Sequence, residues 1–195
     1  MSSSEITSVN QRDLYSQLYQ TGILQFGLFM VDGRYQPYQL DLGLLPSYPH
    51  VLRLLAKTIS GMISPPEAVQ NQRIMCDILS LPAAVLVGQE LQIPVVLERA
   101  ATGSTSHDLA GAYDIGHPTS AIVAMPGEKT AALIQRGRTV GLDVQQTIFI
   151  FSETSHPEAV VDLESFCLTL ADAGNITAQQ AQTITSWLQN KPGHF

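Results

Sequence analysis

A chain of 195 residues, 45% hydrophobic and 14% charged, has material for one well-cored globular domain and is too short for two. Its formal net charge is −7 and its ten basic residues are scattered, which excludes electrostatic binding to nucleic acid or to an anionic membrane surface. No apolar run approaches the ~18 residues of a membrane span, and the polar start with Glu5 matches neither a secretory nor a basic transit leader, so a cytoplasmic location is expected.

In chain order, Leu14, Tyr15, Leu18 and Tyr19 form a helical stripe that predicts a first helix over about Val9 to Thr21. Ser8 with Gln11 reads as its capping box and Gly22 as its stop. Phe26 to Val31 and Tyr35 to Leu40 are strand-like runs on either side of Asp32-Gly33, a hairpin turn pair. Ser47 and Pro49 open a second helix whose apolar positions (Val51, Leu54, Leu55, Ile59, Met62, Ile63) keep helical spacing until Pro65-Pro66.

From there β-rich and helical runs alternate. Ile78 to Leu81, Pro94 to Leu97, Ala121 to Met125 and Thr147 to Phe151 read as strands; Ala83 to Leu91 and Thr130 to Val140 read as helices. Such alternation predicts a parallel sheet with covering helices. Two helices close the chain, about Pro157 to Ala173 before Gly174, and Thr177 to about Gln189, the second opened by a Thr177/Gln180 capping box. Cys76 and Cys167 lie in apolar runs, without CxxC or metal-ligand spacing, and read as buried thiols. Phe166, Trp187 and Phe195 read as packing residues.

The segment Leu18-Tyr-Gln-Thr-Gly-Ile-Leu-Gln-Phe-Gly-Leu-Phe29 resembles the opening of the orotate phosphoribosyltransferases, where a helix ends in Gly before an apolar pair and a Phe-Gly-x-Phe strand. Gln36-Pro37-Tyr38, Asp41-Leu42-Gly43 and Leu45-Pro46-Ser47-Tyr48-Pro49 continue the similarity, and Asp77-Ile78 with Ile93 to Arg99 resembles the first core strands. The resemblance covers about Leu14 to Gln189. It implies an α/β fold of the type I phosphoribosyltransferase kind: a parallel sheet over about 74–152 flanked by helices, an N-terminal hood over about 22–45, and C-terminal helices over about 157–190. It also implies a homodimer.

In that family, transfer needs a magnesium diphosphate held by an acidic pair, a Gly- and Thr-rich loop at a helix N-terminus, and lysines on a mobile loop. Here Ala121-Ile-Val-Ala-Met125 runs directly into Pro126-Gly127-Glu128-Lys129-Thr130, with no acidic pair and a shorter loop. The stretch in the mobile-loop position, Arg99 to His107, keeps Arg99 and His107 but no lysine, and only three lysines exist in the chain. The turn lysine between Met30 and Asp32 is also absent. Neutralising a diphosphate leaving group is a term of several kcal/mol, so these departures point to a non-catalytic protein with no resident cofactor, acting as a binding, scaffold or regulatory module through a protein partner or ligand. An active, divergent orotate phosphoribosyltransferase is the alternative: Mg²⁺ would be its cofactor, Arg99 would meet the diphosphate, Gly127 to Thr130 the 5′-phosphate, and His107 would assist. A nucleotide or sugar-phosphate sensor is a third reading.

Each candidate site has a plainer account. Gly127, Glu128, Lys129 and Thr130 form either a reduced anion site or an ordinary turn and helix cap, with the cap favoured. His107, Asp108, Asp114 and His117 fall close together in sequence but lack metal-site spacing, and read as loop polarity with no metal. Ser104 beside His107 has no nucleophile-elbow pattern. Arg34, Tyr35, Pro37 and Tyr38 form an aromatic, singly basic stretch suited to an interface or packing more than to a small-molecule pocket, though Arg34 and Tyr38 remain ligand candidates.

Overall fold

The computed structural model describes residues 3–31, 33–63, 71–99 and 109–190, with the side chains of 3–10 and of Arg34 not included. Helix α1 (Ser3–Gln20) buries Leu14, Tyr15 and Leu18 and ends at Gly22, whose φ of +72° is a left-handed stop. Its start corrects the expected capping box: the helix runs straight through Ser8, so Ser8 and Gln11 lie in its interior. Strands β1 (Leu24–Val31) and β2 (Arg34–Leu40) pair antiparallel from Leu24↔Leu40 to Val31↔Arg34, with a bulge between Phe26 and Phe29. A 3₁₀ turn (Leu42–Ser47) leads into α2 (Pro49–Met62), which has Pro49 in its first turn and buries Val51, Leu55 and Ile59.

The main sheet has six strands. They are β3 (Arg73–Cys76), β4 (Val95–Glu98), β5 (Leu109–Ala110), β6 (Pro118–Val123), β7 (Asp143–Ser152) and β8 (Ala159–Asp162), in the order β5-β4-β3-β6-β7-β8. All neighbours are parallel except β4 and β5. Helices α3 (Leu81–Leu91), α4 (Glu128–Thr139), α5 (Leu163–Asp172) and α6 (Ala178–Asn190) complete the chain. This is the expected α/β class, a mostly parallel sheet flanked by helices with a small N-terminal hairpin.

Alternation along the strands divides the core. Ile74, Cys76, Ile122 and Ala124 belong to the larger cluster with α1, α2, α3, α5 and α6, whereas Met75, Ala121 and Val123 join Leu133 of α4 in the smaller one. On β7 the parity changes: Val144 and Phe149 share the α4 side because the register slips between Thr119/Val144 and Ser120/Gln146. Cys76 and Cys167 are both fully buried and unpaired. No helix among the described residues is long and apolar enough to cross a membrane.

One strand expectation and one helix expectation need correction. Ile78 to Leu81 is not a strand: β3 ends at Cys76, Ile78 to Ser80 form a turn, and Leu81 begins α3. The apolar character of Ile78 and Leu79 misled because both are exposed, at 65% and 49%. Pro157 to Ala173 is not one helix either, since Ala159–Asp162 pairs with β7 as strand β8 before Asp162 caps α5 through the Ser165 N–H. The Thr177/Gln180 capping box does form, with Thr177 N–H on Gln180 Oε1 at 2.8 Å and Gln180 N–H on Thr177 Oγ1 at 3.1 Å.

Two helix glycines mark close contacts of opposite kinds. A Cβ on Gly88 would stand 2.7 Å from the Ile93 carbonyl oxygen and 2.7 Å from Val95 Cγ2. A Cβ on Gly137 would meet the Met75 thioether at 2.7 Å, the flexible end of an adaptable side chain. Gly88→Ala is therefore expected to cost about 1–3 kcal/mol by overpacking, more than offsetting the ~1 kcal/mol helix-propensity gain. Gly137→Ala is expected to fall within about 1 kcal/mol of the parent. Urea unfolding of both variants checks the contrast; equal stabilities would contradict the α3–sheet packing.

Candidate functional site

The order β5-β4-β3-β6-β7-β8 contains a reversal. From β3 the chain first adds β4 on one side, then returns to add β6 on the other. In open parallel sheets the crevice outside the carboxyl ends at such a switch point is the natural ligand site, because the two connections diverge there. The lining segments are the turn after β3 (Asp77 to Ser80) and the loop after β6 (Ala124 to Gly127).

These two segments are joined by side chains. Asp77 Oδ2 accepts the Ala124 N–H at 2.9 Å, and Oδ1 accepts the Ser80 N–H at 2.7 Å. Ser80 is fully buried, with Oγ 2.6 Å from the Ile122 carbonyl oxygen and 2.8 Å from Asp77 Oδ1, so its single proton bridges β6 and the carboxylate. The carboxylate thus holds two backbone donors at the switch point, one from its own turn and one from the end of β6. With Asp77 and Ser80 turned inward, Ile78 and Leu79 face solvent.

Beyond Ala124, the loop supports itself. Ala124 O accepts the Phe151 N–H at 3.0 Å, tying β6 to β7. Thr130 is buried and donates its hydroxyl to Met125 O at 2.6 Å, so its side chain closes the loop instead of facing the crevice. Gly127 sits at φ +150°, ψ −174°, a backbone region open to glycine, and makes no side-chain cap to α4. Glu128 and Lys129 are exposed, with Glu128 in the first turn, where a carboxylate complements the helix dipole.

Of the other sequence candidates, Arg99 and Tyr38 lie towards the same carboxyl edge, whereas Asp114 and His117 precede β6 at its amino end. Arg99 follows β4 and is exposed; its neighbour Glu98 pairs with Arg136 of α4 at 2.7 Å. Tyr38 comes from the hairpin and is only 3% exposed. Its hydroxyl donates to Glu153 just beyond β7, and its ring packs on Phe151 and Trp187 with centroids 6.0 Å and 5.9 Å away. Burial, reinforced by Glu153, pushes the Tyr38 phenol far above its ordinary range. Arg34 opens β2 opposite Val31, with its side chain outside the described residues. His107, Asp108 and Ser104 also lie outside them, as does Phe195. Asp114, exposed, and His117, half-buried, flank the turn before β6, the Asp114 N–H donating to His117 Nδ1 at 2.9 Å. Among the described residues no three His, Cys, Asp or Glu side chains gather as metal ligands.

Reading the sequence alone missed Ser80 and the role of Asp77. A signal was present, since an Asp three residues before a Ser at the start of a Pro-containing helix is a local capping pattern; its reach to β6 was not visible. Two surface grooves of about 340 and 310 Å³ flank α2, and neither takes a lining residue from Asp77–Ser80 or Ala124–Thr130. Their lining residues come from α1, α2 and α3.

No family model matches the sequence. Solved structures do. Leishmania donovani UMP synthase superposes with a TM-score of 0.78 at 22% identity, over 92% of this chain and 42% of that one. The chain therefore spans well under half of that enzyme. Orotate phosphoribosyltransferase from Francisella tularensis matches with a TM-score of 0.66 at 15% identity, over 90% of this chain and 96% of that one. The Aeropyrum pernix orotate phosphoribosyltransferase gives 0.66 at 16% identity, over 84% and 99%. At these identities the likeness is one of fold.

Proposed function

We propose that this chain, whose fold is that of the orotate phosphoribosyltransferase-like type I phosphoribosyltransferases, is a non-catalytic module acting by binding a protein partner or a regulatory ligand. The observation that carries this reading is the occupied switch point: the Ala124 and Ser80 N–H groups already serve Asp77, the chain's own anion. A bound diphosphate would have to displace a charge-assisted pair of hydrogen bonds and then face the Asp77 carboxylate.

The residues present do not fit a magnesium diphosphate. From Ala121 to Gly127 there is no carboxylate, Thr130 is turned back onto Met125, and Glu128 places negative charge on the first turn that would otherwise receive a phosphate. Arg99 and Lys129 are exposed cations at this edge, and isolated surface charges are weakly attractive in water. Support for a protein partner comes from the hairpin, where Leu28, Met30 and Tyr35 are 77%, 63% and 61% exposed, beside Arg34 in sequence. Aromatic and large aliphatic groups near an arginine are what binding hot spots contain.

Isothermal titration of the protein with phosphoribosyl pyrophosphate and Mg²⁺ is expected to show no saturable heat at millimolar ligand. Saturation in the micromolar range would overturn the non-catalytic reading and favour a divergent transferase.

A further inference from the structure

We infer that the groove between α1 and the end of α5 is a binding site for a free basic amino acid, held by its carboxylate and by both of its cationic groups. The groove encloses about 360 Å³, a volume in the range of small-ligand sites. None of its lining residues belongs to the switch point, so the inference stands apart from the non-catalytic reading. Its two walls are held together by the Tyr15 ring of α1 packing on Phe166 of α5, with centroids 4.9 Å apart, and buried Leu170 lines it.

The charges in this groove are not spent on one another. Arg12 and Asp13 of α1 and Asp172 of α5 are exposed and all three line it, yet none of them forms an ion pair among the described residues. Asp172 is the last residue of α5, which has no basic residue in its final turn. A carboxylate there adds to the negative end of the helix dipole instead of offsetting it, and a bound cation would relieve both. Thr169 donates its hydroxyl to Ser165 O at 2.7 Å, which leaves its oxygen to accept from such a cation. On the other wall, Ser16 stands one turn on from Arg12. Its oxygen accepts from Gln20 Nε2 at 3.1 Å and its own proton is left to donate, so guanidinium and hydroxyl suit a carboxylate. Counted by sign, the groove offers one cation and two anions. A free basic amino acid offers one anion and two cations. Asp13 follows Arg12 directly, as an α-ammonium adjoins its carboxylate, so these two residues take the groups on the α-carbon. Asp172, across on α5, takes the side-chain cation.

The experiment is calorimetric titration of the full chain with L-lysine, with cadaverine, which is lysine without its carboxylate, and with L-norleucine, which lacks the side-chain ammonium. Saturable binding of L-lysine is expected at about 1 mM or tighter, with each truncated ligand weaker by about fivefold, the worth of one hydrogen bond to a charged group at a wet site. The net charge of −7 would by itself favour doubly charged cadaverine, so a preference for lysine reports the groove and not the bulk field. Arg12→Gln is expected to erase the advantage over cadaverine, and Asp172→Asn the advantage over norleucine. Lys57→Gln, on α2 outside this groove, should keep both. The three substituted side chains are exposed, so folding is not at stake. A parent that shows no saturable heat with lysine, or binds it no more tightly than either truncated ligand, overturns the inference. So does an Arg12→Gln or Asp172→Asn variant that keeps the parent's preferences.

Discussion

Tyr38→Ala is expected to lower the free energy of unfolding by about 3–5 kcal/mol, the range for deleting a large buried aromatic side chain. The argument starts from the hairpin. A two-stranded antiparallel ribbon is marginal alone in water, so β1 and β2 depend on what they pack against. Tyr38 is buried between Phe151 of β7 and Trp187 of α6, and its hydroxyl donates to Glu153. One side chain therefore ties the hairpin to the carboxyl edge of the sheet and to the last helix. Tyr38→Phe keeps the rings and loses only the hydrogen bond; half-buried Glu153 can turn to water, so about 1 kcal/mol is expected. Urea unfolding followed by Trp187 fluorescence measures both, because the single tryptophan sits in the contact. A Tyr38→Ala variant within 1 kcal/mol of the parent would mean the hairpin is held by something else.

That dependence bears on how Tyr38 was read from sequence. As a residue of an aromatic stretch after a hairpin, it was a candidate for ligand contact or an interface, and the structure places it inside while leaving Tyr35 outside. The two differ by three positions, odd spacing on a period-two strand, which puts them on opposite faces. The alternation was present in the sequence, but which face met the core depended on α6, more than a hundred residues away. Local features were legible for the same reason distant ones were not. The Leu14/Tyr15/Leu18 stripe, the Gly22 stop and the Thr177/Gln180 box are complete within a few residues. The Ser8/Gln11 pattern was equally complete and failed, because a helix that continues upstream has no free N–H groups for a box to cap there.

The switch point shows the same division. The order of strands and helices predicted a parallel sheet, and therefore a carboxyl edge, without showing where the order reverses. Ile78 to Leu81 has the composition of a strand but follows Asp77, whose carboxylate is turned to β6; the chain bends at that residue and the apolar pair is left outside. Asp77 and Ala124 are neighbours only because β3 and β6 are, a pairing set by the whole sheet. Strand β8 was hidden by continuity, since Ala159–Asp162 merges in composition with the helix that Asp162 begins.

The buried thiols set a second large expectation, a steep loss of stability in alkali. Burial first, then the neighbouring Asp77, raises the Cys76 thiol from 9.0 to about 12. Burial, with Asp162 and Glu164, raises Cys167 from 9.0 to about 12. Tyr15 goes from 10.0 to about 12, chiefly by burial. All three groups are neutral when protonated, so a raised value means the native state keeps protons that the unfolded chain releases. The contribution is complete below pH 9.0, the thiol value of the unfolded chain, and is lost as the pH rises towards 12. Each such proton changes the unfolding free energy by about 1.4 kcal/mol per pH unit. Two thiols thus remove roughly 2–3 kcal/mol between pH 8 and pH 10, a large part of the ~5–15 kcal/mol that holds a domain together. Urea midpoints across this range should fall accordingly. In a Cys76→Ala, Cys167→Ala double variant the fall up to pH 10 should be largely abolished, although the variant starts less stable. An unchanged slope would show that the thiols titrate in the native state as they do in the unfolded chain, and that solvent reaches the larger core cluster that holds both of them.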